Sequence, residues 1–316
     1  MKSLTKPEVY LETKDDLRSR SNKQRWRDVQ DWLRAFPFLA PSLIVFTIFV
    51  FVPLIRSVIL SMYGTNPIGQ MTNFVGFKYY QRLFTSPDYI NSMLVTLKFV
   101  LYTVPGVLIF GVLLSTLANL RFKGISIFRI LFSLTIAISG ATAALIFMFL
   151  YHPLLGIFNY LLSLVGIPAI PWLIDAKWAL IAVAIPRIWL QTGFATVLLL
   201  AGMQGISEEY YEAAKIDGAG FWQSWRHITL PLLTPSLFFL LVVTSLNAFQ
   251  TFTEVNVMTG GGPVNSTEVV VQAIYRSFYF NGQYGLASAQ ALILFVIILA
   301  LTIIQFGVLE KRVHYE

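Results

Sequence analysis

The side chains able to do chemistry in this chain are few, and most interrupt otherwise apolar stretches. Lys98, Arg187, Gln191, Asn247, Gln250, Thr251 and Glu254 stand among runs of Leu, Ile, Val and Phe. An ionisable group inside a membrane-spanning helix costs about 2.5–3.5 kcal/mol on insertion scales and faces a partner or a water-filled path. Arg187 and Gln191 are one helical turn apart and share a face. Asn247, Gln250 and Glu254 follow i, i+3, i+7 spacing, which puts them on one helix face with Thr251 alongside. Two readings fit. One is a solute path lined by hydrogen-bonding groups from two helices, in which Lys98 and Arg187 would suit an anionic phosphate. The other is interhelical hydrogen bonding in a tight bundle. Arg56 lies near the end of its apolar run, from which a long cation snorkels to the interface.

Other chemistries are excluded or weak. The chain has no cysteine, so no disulfide, thiolate nucleophile or cysteine metal site exists. The three histidines, His152, His227 and His314, match no metal-ligand spacing. Thr259-Gly-Gly-Gly-Pro-Val-Asn-Ser-Thr267 looks like a phosphate loop but lacks the Lys that such a loop uses. It reads as a tight external turn. A membrane-embedded enzyme needs a nucleophile–base pair or a metal cluster at membrane depth, and neither is present in the sequence.

The elements that must hold these residues follow from hydropathy. The 316 residues are 56% hydrophobic and 12% charged, with mean hydropathy +0.67, whereas a soluble domain is about a quarter charged. The apolar runs reach the roughly 20 residues that cross about 30 Å of hydrocarbon, and the alternating ten-residue pattern of a membrane barrel is missing. The fold class is all-α, a polytopic helical membrane protein. Six spans are expected near Phe36–Leu60, Met93–Leu117, Ile127–Leu150, Trp178–Met203, Pro231–Phe252 and Leu286–Leu309. A polar tail, residues 1–35, precedes a membrane domain, 36–316. No small-residue cleavage site follows the first apolar run, which reads as a retained helix. Pro53, Pro105 and Pro186 fall inside spans and should kink them. Leu154–Ile167, with Phe158 and Tyr160, is too short to span and reads as a helix at the outer interface.

Lys and Arg orient the bundle. Nine lie in residues 1–35, three between Arg121 and Arg129, two in the Ser207–Leu230 loop and two in the C-terminal tail. The opposite loops hold Lys78, Arg82, Lys177 and Arg276. Both termini are therefore expected in the cytoplasm. The net charge of +7 is explained by these loops, without nucleic acid.

The most informative loop spans residues 205–235. Ser207 can cap a helix whose first turn carries Glu208 and Glu209, favourable charges at that end. Glu212-Ala213-Ala214 continue it, and Asp217-Gly218 ends it, since Gly accepts the left-handed conformation of a helix terminus. A second short helix, Phe221–His227, leads through Ile228 and Leu230-Pro231 into the fifth span. Small residues at Ala213, Ala214, Gly218, Ala219 and Gly220 let another surface approach this cytoplasmic elbow.

The spacing Glu212-Ala-Ala, Gly218, Ile228, Leu230-Pro231 is similar to the EAA loop of ABC importer permeases. Pro37-Phe-Leu-Ala-Pro41, Val75-Gly-Phe-Lys-Tyr-Tyr80, Asp217-Gly-Ala219 and Gly260-Gly-Gly-Pro263 with Ser266-Thr267 resemble the carbohydrate-uptake branch. Within it, the chain looks most like the first permease subunit of the maltose and glycerol-3-phosphate type. The resemblance covers residues 36–316; one departure is Ser207, where proline is common.

It implies a type I importer transmembrane domain in a bacterial cytoplasmic membrane. There the elbow docks into a separate ATPase, and Glu212, Ala213, Ala214, Asp217, Gly218, Ala219, Ile228, Leu230 and Pro231 form the coupling loop. It further implies a second permease half, two ATPase subunits that bind ATP and Mg, and an extracytoplasmic solute-binding protein. The solute would be a sugar, polyol or glycerol phosphate. This chain would need no cofactor and have no ATPase site. An ion-coupled secondary transporter, the main rival, would not need the elbow and more often shows an internal repeat.

Overall fold

A computed structural model describes residues 36–120 and 122–310. The 1–35 tail, Arg121, and Lys311 and Arg312 lie outside the described residues. The chain divides into two units between Ser57 and Val58. Helix α1 covers Phe36–Leu60. Its middle, Thr47–Phe51, is a π turn in which the amide of Val52 donates to the carbonyl of Thr47. Pro53 follows two residues later. A proline has no amide hydrogen and its ring clashes with the carbonyl four residues back, so widening the preceding turn relieves both faults.

The second unit begins with a small hairpin, β1 Tyr63–Thr65 against β2 Met71–Phe74, antiparallel. Asn66 closes it: its side chain accepts from the Gln70 amide at 2.8 Å and donates to Gln70 Oε1 at 3.0 Å. Hydropathy gave no sign of this hairpin. Short helix α2, Lys78–Thr85, follows. The long helix α3, Pro87–Asn119, is capped by Ser86 and starts with Pro87, both favoured there. It packs along α7, Ala179–Gln204. Small residues make that approach possible: a methyl on Gly111 would sit 2.8 Å from Ala195 Cβ, and one on Gly106 would sit 2.7 Å from Ile188 Cδ1. Pro105 and Pro186 lie inside these helices, each of which continues through its proline.

Four helices are long and apolar enough to cross a membrane: α1, α3, α7 and α12, Tyr284–Val308. Two expected spans are instead broken, and counting each pair as one gives up to six. The third run divides into α4, Ile125–Ala137, and α5, Gly140–Leu150, bent by 106°. The cause is local. Ile138 is extended, and Ser139 caps α5 by accepting from the Thr142 amide at 3.1 Å. The fifth run divides into α9, Phe221–Leu232, and α10, Thr234–Phe249, bent by 62°, with Pro235 in the first turn of α10.

Between α5 and α7, helix α6 covers Ile157–Leu164. Tyr160, Leu161 and Leu164 are exposed, as an interfacial helix requires. Phe158 is not at that surface. It packs on Phe147, Tyr151 and Trp172, with ring centroids 6.1, 5.3 and 6.2 Å away. Buried Asn159 staples the following loop by bonding the amide and carbonyl of Ile170 and Nε1 of Trp172.

Candidate functional site

Two places deserve construction from the residues upward: a polar group inside the bundle and the elbow. At the first, α10 ends at Phe249, Gln250 and Thr251 leave the helix, and α11 begins at Thr253 and runs to Met258. Phe252 is neither helical nor extended (φ −145°, ψ −52°). The expected single face through Asn247, Gln250 and Glu254 therefore does not exist, because the helix stops before it is complete. Gln250 is exposed and Thr251 is buried.

The break turns Glu254 towards α7. Its Oε1 meets Arg187 Nη1 at 3.0 Å, and Glu254 is 1% exposed while the Arg187 side chain is 19% exposed. Thr251 Oγ1 donates to Glu254 Oε2 at 3.2 Å. Arg187 Nη2 donates to the backbone carbonyl of Asn247 at 3.1 Å. Asn247 thus serves through its main chain. Gly140, the first residue of α5, passes so close that a methyl there would lie 3.4 Å from Glu254 Oε1. The ion pair consequently sits where the chain leaves α10 and beside the start of α5, at the break in the third run.

A cavity of about 380 Å³ opens beside it, lined in part by Thr135, Gly140, Arg187, Gln191, Thr244 and Asn247. Arg187 Nε, Gln191 Oε1 and Thr135 Oγ1 are buried without a hydrogen-bond partner. Arg187 and Gln191 share this wall as their spacing requires. Lys98 does not join them; it is exposed on α3 between Leu94 and Leu101, also exposed. Among the described residues no group of acidic, cysteine and histidine side chains could hold a metal.

The elbow forms as its sequence dictates. Helix α8, Glu208–Ile216, starts under Ser207, whose hydroxyl accepts from the Glu209 amide at 3.3 Å. It ends in a Schellman turn. The Ala219 amide donates to the Ala214 carbonyl at 2.8 Å and the Gly218 amide to the Lys215 carbonyl at 3.1 Å. Gly218 has φ +79°, the left-handed conformation that this turn requires. Gly220 then opens α9, with Gln223 Oε1 accepting from its amide at 2.9 Å. A Cβ added at Gly218 or Gly220 would meet nothing within 4 Å.

The two limbs are tied together and to the bundle. Tyr211 and Thr229 hydroxyls bond at 2.9 Å, and Trp222 stacks on Trp225 with centroids 4.9 Å apart. Helix α9 runs on to Leu232 through a π turn, Trp225–Thr229, placed two residues before Pro231 as in α1 before Pro53. Glu212, Ala213, Lys215, Ile216, Asp217 and Gly218 are exposed, Ala214, Ala219, Ile228, Leu230 and Pro231 half-buried. Ile216 stands 87% exposed at the tip.

Comparison with known proteins supplies the deciding observation. The family model described as "binding-protein-dependent transport system inner membrane component" matches residues 89–315. The chain belongs to that family. It is similar to the sn-glycerol-3-phosphate transport system permease protein UgpA of Agrobacterium fabrum, with 35% identity over 89% of this chain and 97% of the relative. It is 33% identical to the sulfoquinovosyl glycerol transport system permease protein SmoG of the same organism, over 91% and 94% of the two chains. The trehalose/maltose transport system permease protein MalF of Thermococcus litoralis is 31% identical over 91% and 96%. In fold, the chain resembles a subunit of a bacterial alginate ABC transporter solved with its pentasaccharide-bound periplasmic protein. That match has TM-score 0.79 and 23% identity, over 92% of this chain and 99% of the other. This family member is thus an inner-membrane transport component with a type I importer fold.

Proposed function

We propose that this chain is the permease subunit of an ATP-driven importer of a sugar, polyol or glycerol-phosphate-like solute. In this reading it pairs with a second permease half and with two ATPase subunits, and receives solute from an extracytoplasmic binding protein. The observation that carries the reading is the elbow: two capped helices around Gly218, exposed along one side, in a family member whose relatives are named as permeases of such systems. ATP and Mg are the partners' ligands and supply the energy; this chain contributes shape. Residues 36–316 form the membrane domain with a coupling loop at 205–235, and both termini are cytoplasmic. The positive-residue bias supports that orientation, and its excess rests on the 1–35 tail, Arg121, Lys311 and Arg312.

Transmission follows from chain continuity. Closure of the ATPases moves α8 and α9; α9 bends into α10, and α10 ends at the Thr251–Glu254 corner that holds Arg187. A push at the elbow therefore reaches the lining of the 380 Å³ cavity within one stretch of chain. The test is reconstitution of the complete importer in proteoliposomes with labelled solutes. Uptake that requires ATP inside and the binding protein outside is expected; uptake driven by an ion gradient without ATP would replace this reading with secondary transport.

A further inference from the structure

Resting on that reading, we infer that the cavity beside Arg187 takes a neutral polyhydroxylated solute and rejects phosphate and sulfonate esters. Arg187 is the only charged residue lining the cavity among the described residues, and its charge is already answered. Glu254 holds Nη1 at 3.0 Å, and the Asn247 carbonyl holds Nη2 at 3.1 Å. Glu254 is fixed in turn by Thr251 and is almost wholly buried. The second cation within a span, Lys98, does not line the cavity. An anion entering here would compete with a buried carboxylate for one guanidinium, losing its hydration without a matching charge.

What the wall does offer is uncharged hydrogen-bonding side chains: Gln191, Thr244 and Asn247 line the cavity beside Arg187. Amide and hydroxyl groups between them both donate and accept, as the hydroxyls of a sugar or polyol do, whereas an anion only accepts. Glu254 is then a positioning residue for specificity: it cancels Arg187 and so decides the sign of the solute.

The complete importer is reconstituted and ATP-dependent uptake is measured for glycerol, maltose and trehalose against sn-glycerol 3-phosphate and glucose 6-phosphate. Uptake is expected within the neutral series alone. Glu254→Gln frees the Arg187 charge and should reduce the neutral-to-anionic preference about tenfold or more, which corresponds to 1.4 kcal/mol. Glu254→Asp, which retains the charge, should restore the preference. A structural role alone would lower both series together, so an unchanged ratio in Glu254→Gln overturns the inference. Uptake of a phosphate ester by the parent importer also overturns it while leaving the importer reading intact. No ATP-dependent uptake of any solute overturns both.

Discussion

Trp225 Nε1 donates a hydrogen bond to Thr116 Oγ1 at 3.1 Å, joining residues 109 positions apart. It ties the second limb of the elbow to the C-terminal end of α3, the helix that packs along α7. Motion of the elbow is thereby shared with the helix pair behind the cavity. Trp225→Phe keeps an aromatic ring to stack on Trp222 and removes the donor, a net loss of about 0.5–1.5 kcal/mol. Abundance should be normal and solute moved per ATP hydrolysed should fall severalfold. Measuring both rates in proteoliposomes checks this; an unchanged ratio would show that the tie carries no motion.

Gly218 tests the docking surface. Valine at φ +79° costs about 1–3 kcal/mol of backbone strain and adds bulk at an exposed turn. Gly218→Val should insert and accumulate normally while uptake and binding-protein-stimulated ATP hydrolysis collapse. Gly218→Asn, which tolerates the left-handed region, should keep most of the coupling, and Glu212→Ala should be mild. A Gly218→Val complex that couples normally would remove the elbow from its assigned role.

Orientation can be read with cysteines, since the parent has none. Val264, 94% exposed in the Thr259–Thr267 turn, and Ile216, 87% exposed in the elbow, are reachable targets whose expected locations are on opposite sides. In intact cells an impermeant maleimide should label Val264→Cys and spare Ile216→Cys until the membrane is opened. The reverse pattern would invert the topology and the coupling assignment together.

The loop after the Thr259–Thr267 turn should show its own pH signature. Burial, reinforced by the nearby Asp88 charge, raises the Glu268 carboxyl above its usual range, although Arg276 opposes this through an ion pair at 2.9 Å. A raised value means that the folded protein holds this proton more readily than the unfolded chain, so this residue's contribution weakens as pH rises through the window from about 4.5 to the raised value. The melting-temperature difference between the parent and Glu268→Gln should therefore shift against the parent as pH increases there. A difference flat across that window would mean that the carboxyl titrates normally.

Much of this was legible in advance, and the failures share a cause. Hydropathy placed α1, α3, α7 and α12 within a few residues, except that α3 begins six residues before Met93 because Ser86-Pro87 starts it in polar sequence. The elbow was readable because caps and a left-handed glycine are local signals. The break in the third run and the end of α10 were not. Ser139-Gly140 is a helix start, but it lies within a run apolar enough to read as one span. Nothing like glycine or proline marks the end of α10 at Gln250–Phe252, so helical spacing carried Glu254 onto a face that it does not occupy. The Arg187–Glu254 pair joins residues 67 apart, and periodicity is blind to partners at that separation. Only the placement of Arg187 with Gln191, four residues on, could be derived from spacing.

Gly220 carries a consequence beyond its place at the start of α9. Its φ of −78° is open to any residue, and an added methyl would touch nothing in this chain. Folding therefore exerts no pressure to keep a glycine there. If alanine or serine at this position impairs transport, the obstruction must belong to another gene product, and mutations that relieve it should map to the ATPase gene rather than to this one.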